Sequence, residues 1–350
     1  MKKLILRIGK KRSREIFLFN KIFIENSLKD SIAVNHILEK LPAGQKTEIE
    51  YLESYEDVFS KVKKPYLEKR KNLNLFIAEK KGTIVKEAPD AYGLGNEKHF
   101  YFVNAYNCIY ECEYCYLQGF FNSPDIVLFT NWAEITKQIE ITSMQYPDAW
   151  FHAGEFSDSL ALSHLTGEIE HYYNLFRKLP QSKLELRTKS VNIKEILKQK
   201  PLDNIYVSFS IASAENIKAI DLKTPSLNHR LKAIKTLQDN GHQVGLHFDP
   251  ICWTSNWPEE YIKLIGRLKT EINLEKICYI SLGVVRFTQD VYFQFEKNYP
   301  KSLIHSGEFK RSFDNKIRYP KALRNKMLSF IREELTKNGV SGEKIYDCME

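Results

Sequence analysis

Apolar and polar positions alternate along this chain in two recurring patterns. Short apolar runs with a period of two predict β-strands, and the longer stretches between them repeat apolar positions at helical spacing. The predicted strands cover residues 99–103, 149–153, 183–187, 204–211, 243–249 and 276–285. The predicted helices cover residues 132–144, 161–179, 191–199, 226–240 and 257–272.

Six βα units of this kind predict an α/β fold with a parallel sheet, because consecutive parallel strands need a crossover helix between them. Six units are too few for a closed eight-stranded barrel, so we expect an open, partial (β/α)6 TIM-like barrel. We place this core at residues 96–290.

The flanking segments have different patterns. Residues 1–95 predict an N-terminal mixed α/β layer, with helices near 28–41 and 51–64 and a strand within 72–78. Residues 291–350 predict a C-terminal hairpin, a helix over 320–338 and a short final strand that includes Tyr346.

Composition narrows the class of protein. A chain of 350 residues that is 43% hydrophobic can bury a large core. Apolar stretches long enough to cross a bilayer and a secretory leader are both missing from the sequence, so we expect a soluble, cytoplasmic protein with no membrane partner. The net charge of +8 and the pI of about 8.9 suit a polyanionic partner such as nucleic acid. The basic run from Lys61 to Lys71 predicts a solvated helix face, with phosphate contact as the alternative.

Three cysteines, Cys108, Cys112 and Cys115, fall within eight residues directly after the first core strand. Three thiolates on one loop can hold three irons of a 4Fe-4S cluster and leave the fourth iron open for a ligand. Structural zinc needs four ligands, and the sequence has no second cysteine pair. Six cysteines in a chain of this length also fit a disulfide framework poorly.

Polar residues follow most of the predicted strands. Reactive groups of parallel βα folds collect at the carboxyl ends of the strands, so these residues are candidate site residues. His247 and Asp249 predict either a barrel-lining pair or a general acid–base couple. Arg286 predicts either an anion contact or a carboxylate pair. Further strand-exit candidates are His152, Arg187 and Ser208.

The spacing C-x3-C-x2-C, with an aromatic residue before the third cysteine, resembles the signature of radical S-adenosylmethionine enzymes. The run from Cys108 to Gln118 resembles that of the spore photoproduct lyase family within this group. The resemblance implies a barrel of the radical S-adenosylmethionine type that carries a 4Fe-4S cluster on Cys108, Cys112 and Cys115. It further implies reductive cleavage of S-adenosyl-L-methionine to a 5′-deoxyadenosyl radical, and repair of a thymine-dimer-type lesion in DNA. The implied reductant is a flavodoxin or a ferredoxin.

The resemblance also assigns roles to side chains. Tyr114 and Tyr116, which flank the third cysteine, correspond to catalytic residues. Arg318 and Tyr319 correspond to a hairpin that binds lesion-containing DNA, with an ordinary surface turn as the structural alternative. The residues that correspond to S-adenosyl-L-methionine contacts are Ser157, Asp158, Lys189 and Ser210.

One position departs from the family pattern. The family carries a hydrogen-donating cysteine shortly before its Ser-Asp pair, and this chain has Glu155 there. A carboxyl group cannot donate a hydrogen atom from a weak bond as a thiol can. Glu155 instead suits the acidic residue that accepts a hydrogen bond from the methionine ammonium group in many radical enzymes.

Other thiols could replace the missing donor. Cys348, on the predicted final strand, is the first candidate catalytic thiol, and Cys252, just after the fifth core strand, is the second. Cys278 lies inside the sixth strand and predicts a core position. Two further functions stay open: a radical enzyme that acts on another nucleotide or nucleic acid, and a nucleic-acid-binding protein whose cluster is structural or redox-sensing.

Overall fold

The structure, a computed structural model, describes residues 19–41, 47–61, 66–89 and 97–348. Its strands are, in chain order, β1 (Lys21–Glu25), β2 (Glu48–Leu52), β3 (Leu75–Ala78), β4 (Val85–Glu87), β5 (His99–Phe102), β6 (Ala105–Tyr106), β7 (Glu111–Cys112), β8 (Ile126–Phe129), β9 (Trp150–Ala153), β10 (Lys183–Thr188), β11 (Ile205–Ser210), β12 (Asp221–Leu222), β13 (Gln243–Ile251), β14 (Ile277–Val284), β15 (Arg286–Phe287), β16 (Lys310–Arg311), β17 (Ile317–Arg318) and β18 (Ile345–Asp347). Its α-helices are α1 (Ile32–Lys40), α2 (Tyr66–Lys69), α3 (Leu117–Phe120), α4 (Trp132–Gln145), α5 (Ser163–Thr166), α6 (Glu168–Phe176), α7 (Ala214–Ile220), α8 (Leu227–Asp239), α9 (Trp257–Glu271), α10 (Gln289–Asn298) and α11 (Lys321–Lys337).

The central sheet has the strand order β18-β14-β13-β11-β10-β9-β5-β4. Neighbouring strands are parallel except for β4 and β5, which are antiparallel. The strands from β5 to β14 in this sheet are the six predicted from the period-two pattern, and all six are confirmed. They are neighbours in chain order, as repeated βα units require.

The central sheet curves around a polar interior. On β10, the fully buried Leu184 and Leu186 alternate with Glu185, which therefore lies on the opposite face. Glu185 accepts hydrogen bonds from side chains on four other strands of the sheet, which brings that face together as the concave wall of a partial barrel. These side chains are His152 on β9, Ser208 on β11, His247 on β13 and Tyr279 on β14.

The predicted helices over 132–144, 226–240 and 257–272 are confirmed as α4, α8 and α9. The predicted helix 161–179 is two helices, α5 and α6, which meet at Gly167 with φ +73°. The predicted helix 191–199 is wrong, because only Ile196–Lys198 forms a short 3-10 turn. The Ser190 hydroxyl accepts from the amide of Asn192, and such a local side-chain bond competes with a helix. The Asn192 side chain also donates to the carbonyl of Leu160, a tertiary contact that holds the segment.

A second sheet has the strand order β2-β1-β3-β8-β6. Its strands β1, β2 and β3 precede the central sheet in sequence, whereas β6 and β8 come after β5. The predicted helix near 28–41 is confirmed as α1, and the strand predicted within 72–78 is confirmed as β3. The predicted helix over 51–64 is wrong throughout its described part, because Glu48–Leu52 pairs in parallel with β1 and only Tyr55–Asp57 forms a short 3-10 turn. Residues 62–65 lie outside the described residues. The alternating sequence Glu-Ile-Glu-Tyr-Leu has the period of a strand, and pairing with a buried neighbour reinforces it.

The second sheet includes strands from both sides of residue 95, since β6 and β8 belong to it. The predicted boundaries 1–95, 96–290 and 291–350 therefore stay a prediction. At the other end of the chain, β16 and β17 form the predicted hairpin, with β15 as a third strand. α11 confirms the predicted helix 320–338, and β18 adds the predicted final strand beside β14. Within the described ranges, none of the helices is long and apolar enough to cross a membrane.

Glu168 at the start of α6 supplies a test of the packed helix layer. Its carboxyl group is 3% exposed, and burial raises its pKa from 4.5 to about 8. The unfolded chain ionises this group near the lower value, so the folded state loses stability as the pH rises from about 4.5 to about 8. We expect Glu168→Gln to raise the free energy of unfolding above about pH 8, by up to roughly 1.4 kcal/mol for each pKa unit of the shift.

Thermal or urea unfolding at about pH 5 and about pH 9 measures this effect. Glu170→Gln, at an exposed position of the same helix, is the matched control and should leave the pH dependence unchanged. Equal pH profiles for wild type and Glu168→Gln would show that the carboxyl group is not held neutral.

Candidate active site

The cysteine loop runs from β6 to α3, and antiparallel pairing of β7 with β12 holds its middle. Cys112 lies opposite Asp221 in that pairing, and the amide of Cys115 donates to the carbonyl of Cys112 at 3.1 Å. All three cysteines carry free, half-buried thiols. Burial, followed by Asp221 and the other two thiolates, raises the pKa of Cys112. The thiols of Cys108, Cys112 and Cys115 therefore lie within electrostatic range of one another.

Arg70 holds the cysteine loop by its backbone. Its guanidinium group donates to the carbonyl oxygens of Cys108, Ile109 and Tyr110 at 3.0, 3.0 and 2.7 Å. It also lies 3.5 Å from a carboxylate oxygen of Glu111. Hydrogen bonds to a charged donor contribute about 1.5–3 kcal/mol each, so this single side chain strongly restricts the loop.

The basic run from Lys61 to Lys71 is therefore not simply a solvated helix face. Arg70 is 5% exposed and Lys69 is 8% exposed, and the Lys69 ammonium group lies 2.6 Å from a carboxylate oxygen of Asp125. The prediction of solvation is wrong for these two residues, and their internal partners also give no support to phosphate contact. Two other lysines of the run, Lys63 and Lys64, lie outside the described residues.

A buried ion pair joins the cysteine loop to the exit of β11. Asp221 accepts from the Tyr114 phenol through Oδ1 and from Arg230 through Oδ2, the latter at 2.9 Å. Arg230, which has no exposed surface, also donates to the carbonyl of Ser210 at 2.8 Å. The ammonium group of Lys189 lies 5.4 Å from the centre of the Tyr114 ring. Three predicted site residues, Tyr114, Lys189 and Ser210, thus surround one ion pair.

Lys189 places a positive charge beside the second cysteine. Burial acts against this charge, but the nearby Asp221 carboxylate keeps the pKa of Lys189 above its ordinary value. Lys189 therefore remains an ammonium group next to Cys112 and can pair with an anionic group bound there.

The segment after β9 contacts the cysteine loop directly. Ser157 donates to the carbonyl of Asn107 at 2.7 Å, one residue before the first cysteine. The Tyr116 phenol donates to the carbonyl of Glu155. The structure thus brings the predicted residues Glu155, Ser157 and Tyr116 together at the edge of the loop.

Asp158 joins the exits of β9 and β10. Its carboxylate accepts from the amides of Leu160, Ala161 and Lys189 at 3.0, 2.9 and 2.7 Å and from the Thr188 hydroxyl at 2.6 Å. These bonds fix the backbone of Lys189. The predicted contact of Asp158 with a cofactor stays a prediction, because its observed partners all belong to the protein.

The two predicted substrate-binding residues of the hairpin are buried. Arg318 is 4% exposed, donates to the Ser312 hydroxyl at 2.9 Å and pairs with Asp314 at 3.0 Å. Tyr319 has no exposed surface, and its hydroxyl accepts from the amide of Trp253 at 3.2 Å. Direct contact of these side chains with DNA stays a prediction, and their burial gives it no support.

The single cysteines lie in three different environments. Cys348 is 1% exposed, and its amide donates to the carbonyl of Leu282 at 2.7 Å, which continues the pairing of β18 with β14. Cys252 is also 1% exposed and lies just after β13. Cys278, inside β14, is half-buried and donates to the Gln243 side chain at 3.0 Å, so its predicted core position is only partly correct.

Asp249 and His247 have separate partners rather than forming a couple. Asp249 pairs with Arg286 through two bonds of 3.2 Å, while His247 lies 2.6 Å from Glu185. Both are therefore barrel-lining residues. Of the two roles predicted for Arg286, an anion contact or a carboxylate pair, the structure shows the carboxylate pair. A Cβ atom on Gly283 would lie 2.8 Å from the Asp249 carboxyl carbon, so a glycine is needed to fit this pair.

The pKa of Cys348 is raised above its ordinary value. Burial and then Asp249 raise it, whereas Arg187 and Arg286 act in the opposite direction.

Sequence reasoning missed Asp221, Arg230, Arg70 and the role of Glu185. Arg230 could be recognised from the sequence, because this charged residue lies on the apolar stripe of α8 between Leu227 and Leu231. Glu185 had the same kind of signal, as a carboxylate inside an apolar strand. Arg70 had none, because its partners are backbone carbonyls far along the chain.

Comparison of the sequence with known proteins finds similarity to one family. A family model described as "Spore photoproduct lyase" matches residues 98–338. The spore photoproduct lyase of Bacillus subtilis (strain 168) is 28% identical over 214 residues, and that of Geobacillus sp. is 25% identical over 214 residues. Each alignment covers 60% of this chain and 63% of the relative, so the matched region is less than two thirds of the relatives' length.

Solved structures of spore photoproduct lyase superpose over nearly the whole chain. One, complexed with dinucleoside spore photoproduct, has a TM-score of 0.79 at 20% identity and covers 95% of this chain and 99% of its own. A mutant with bound AdoMet and dinucleoside spore photoproduct has a TM-score of 0.80 at 20% identity with the same coverage. These matches confirm the predicted fold, a partial barrel of the radical S-adenosylmethionine type.

The cysteine loop has the donor chemistry that a 4Fe-4S cluster requires. Its three thiols lie on one short loop, are half-buried rather than sealed, and lie beside the ammonium group of Lys189, which offsets the negative charge of bound thiolates. In the described part of the chain, no group of three His, Cys, Asp or Glu side chains, the loop cysteines included, is arranged to hold a single metal ion. By number, spacing and thiol chemistry, the three cysteines fit the cluster implied by the resemblance.

Arg70→Met tests how far the loop depends on one side chain. The substitution keeps an unbranched side chain but removes every donor, so the loop carbonyls lose their partner. We expect the three loop thiols of the metal-free chain to react with iodoacetamide at least about tenfold faster, because tenfold corresponds to only ~1.4 kcal/mol. Mass spectrometry of the alkylated peptides measures the rates.

Lys71→Met is the matched control, because Lys71 is the neighbouring exposed cation. It should leave the rates at the wild-type value. Equal alkylation rates in Arg70→Met and Lys71→Met would mean that the loop is held by other contacts.

Proposed function

The chain belongs to the spore photoproduct lyase family, and we propose that it is a radical S-adenosylmethionine enzyme that repairs a thymine-dimer-type lesion in DNA. The observation that carries the proposal is the position of the loop with its three free thiols, which pairs with β12 at Cys112 and lies beside Lys189 at the exit of β10. The family match over residues 98–338 supports it.

In this proposal Cys108, Cys112 and Cys115 hold a 4Fe-4S cluster. S-adenosyl-L-methionine is bound by Glu155, Ser157, Asp158, Lys189 and Ser210. When bound, the cluster supplies the electron that cleaves S-adenosyl-L-methionine and gives a 5′-deoxyadenosyl radical. A flavodoxin or a ferredoxin supplies that electron to the protein.

The chain's own residues supply the charged groups of this site and hold them in position. The Lys189 ammonium group is suited to the carboxylate of the methionine moiety, and its backbone is fixed by Asp158 at 2.7 Å. The Glu155 carboxylate is suited to the methionine ammonium group, and Tyr116 holds the Glu155 backbone in place. Tyr114 cannot swing away from the loop while Asp221 accepts its hydrogen bond.

DNA is the proposed partner, and the net charge of +8 favours it. Because Arg318 and Tyr319 are buried, we assign the DNA contact of the hairpin to its tip rather than to these residues. Phe313 at the tip is 98% exposed, and Arg311 and Lys316 flank it. An exposed aromatic side chain between cations can stack on an unpaired base while the cations meet phosphates.

Cys348 is the proposed hydrogen donor in place of the cysteine that Glu155 replaces. Its strand position turns it to the barrel interior on the same face as Tyr346, two residues earlier. The carboxylate of Asp249 and the guanidinium groups of Arg187 and Arg286 lie near the thiol. Polar groups around a buried thiol in the barrel interior are what a donor that meets a substrate would need.

The absence of the usual cysteine favours one alternative substrate class. With Glu155 at that position, the same barrel could act on another nucleotide or nucleic acid that needs no thiol donor. From a different class, a nucleic-acid-binding protein with a structural or sensing cluster would use the same three cysteines without cleaving S-adenosyl-L-methionine.

Anaerobic enzyme, reduced with dithionite and given S-adenosyl-L-methionine and an oligonucleotide that carries a spore photoproduct, tests the function. We expect 5′-deoxyadenosine to form and thymine to be restored, and Cys112→Ala to abolish both because one cluster ligand is lost. Cys278→Ala, at a thiol outside the site, should retain both. Liquid chromatography with mass spectrometry measures the two products.

The pattern of products separates the alternatives. Formation of 5′-deoxyadenosine without restored thymine would overturn the lesion assignment and favour another substrate. No cleavage of S-adenosyl-L-methionine in a preparation with its full iron content would favour a binding protein with a structural cluster.

Cys348→Ser tests the donor assignment separately. A hydroxyl group is a poor hydrogen-atom donor, so we expect 5′-deoxyadenosine to form at the wild-type rate while restored thymine falls at least about tenfold, ~1.4 kcal/mol in barrier. Cys278→Ser is the matched control. Full coupled turnover in Cys348→Ser would remove this thiol from the mechanism and leave Cys252 as the remaining candidate.

A further inference from the structure

A column of aromatic side chains runs through the barrel interior from Cys348 to the opposite end. Tyr346 and Tyr279 have ring centres 6.2 Å apart, and Tyr279 and Tyr206 have ring centres 5.9 Å apart. Trp150 completes the column, 4.8 Å from Tyr206 and 5.8 Å from Tyr279. Four oxidisable rings thus follow one another without a gap.

The column has one end in the site and one near solvent. Tyr346 lies in β18 and Cys348 directly follows that strand, in backbone that continues its pairing with β14, so the two residues lie roughly 6.6 Å apart on one face. Cys348 is 1% exposed, whereas Tyr206 and Trp150 at the amino-terminal ends of their strands are only half-buried. The column therefore joins a buried thiol to a place that a dissolved molecule can approach.

The middle of the column has its own proton acceptor. The Tyr279 phenol donates to a carboxylate oxygen of Glu185 at 2.6 Å. Burial opposes the ionisation of Glu185, but Arg187 and the two histidines hold its pKa well below the usual range, so it is a carboxylate. Those histidines, His152 and His247, lie 2.5 and 2.6 Å from its oxygens.

Close packing keeps Tyr279 in this geometry. A Cβ atom on Gly245 would lie 2.5 Å from the Tyr279 ring, so the glycine makes room for the ring to cross the interior. Most strand interiors are filled with apolar side chains, and a buried carboxylate with so many polar partners costs desolvation energy that an apolar layer would avoid. A structural role alone does not explain why the partner is a redox-active phenol.

We propose that this column returns an electron and a proton to Cys348 after each hydrogen donation. The inference rests on the proposed function, in which Cys348 gives its hydrogen atom to the product radical and becomes a sulfur radical. Sγ then takes a hydrogen atom from the Tyr346 phenol. Tyr346 is restored by an electron from Tyr279, whose proton passes to Glu185 and onward to the Tyr346 oxygen.

The last electron comes from outside the protein. Trp150 and Tyr206 pass it inward to Tyr279, and a dissolved thiol reductant supplies it together with one proton. The net change is that Cys348 regains its S–H bond and one reductant thiol loses a hydrogen atom, becoming half of a disulfide. The column is required when the hydrogen is not returned to 5′-deoxyadenosine.

A photochemical experiment tests the column without cofactor or DNA. The full chain is made with 3,5-difluorotyrosine at position 279 and oxidised by a flash-generated ruthenium oxidant in solution. We expect an electron paramagnetic resonance spectrum with fluorine hyperfine structure. The same label at Tyr173, a buried tyrosine bonded to His242 outside the barrel interior, is the matched control and should show at least about fivefold less of this signal. Equal signals at the two positions would overturn the proposal.

A turnover experiment tests the role in the reaction. With dithiothreitol present, we expect Tyr279→Phe to complete about one repair per chain and stop, while wild type and Tyr173→Phe continue. The double variant Trp150→Phe with Tyr206→Phe, at the two half-buried positions of the column, should show the same early arrest and guards against misfolding of the first variant. Wild-type numbers of repairs in Tyr279→Phe would overturn the proposal. If wild type repairs no lesion, the proposed function fails while the photochemical result still decides the column.

Discussion

The position of the whole site depends on one buried ion pair, Asp221 with Arg230. Taking both charges out of water is costly, and removing either partner would leave an uncompensated charge, typically at about 3–5 kcal/mol. The pair is stable here because each group is fully hydrogen-bonded: Asp221 accepts from Tyr114, and Arg230 donates to the carbonyl of Ser210. Through the pairing of Asp221 with Cys112, the same pair fixes where the cysteine loop meets the barrel.

Much of the core could be predicted from the sequence, because period-two runs and helical stretches reflect burial that every βα unit needs. All six core strands were predicted for that reason, and the cysteine loop was found by its spacing. The errors came from tertiary context. Residues 191–199 have a helical pattern, but the Ser190 hydroxyl bonds locally to the amide of Asn192, whose side chain bonds to the distant Leu160 carbonyl. The strand Glu48–Leu52 alternates in sequence, and its pairing with β1 decides between strand and helix. Contacts such as those of Arg70 with distant carbonyls leave no trace in the local pattern.

The hairpin shows a different limit, in which a motif was found but its two side chains are buried. Arg318 and Tyr319 have the chemistry for DNA contact, yet Arg318 pairs with Asp314 and the Tyr319 hydroxyl accepts from the amide of Trp253. Residue type predicts what a side chain can do, whereas the fold decides what it can reach. Phe313, the exposed residue at the tip of the hairpin, belongs to none of the recognised sequence motifs.

Under the proposed function, Glu155 in place of a cysteine changes the geometry of hydrogen return as well as its chemistry. Glu155 follows β9, whereas Cys348 follows β18, and these strands are separated in the sheet by β10, β11, β13 and β14. In a curved sheet, strands that far apart lie on facing walls. A thiol on β18 would therefore reach a substrate radical from the wall opposite to the one used by a thiol after β9. A donor on the far wall also needs its own source of electrons, and the aromatic column begins on that wall, at Tyr346.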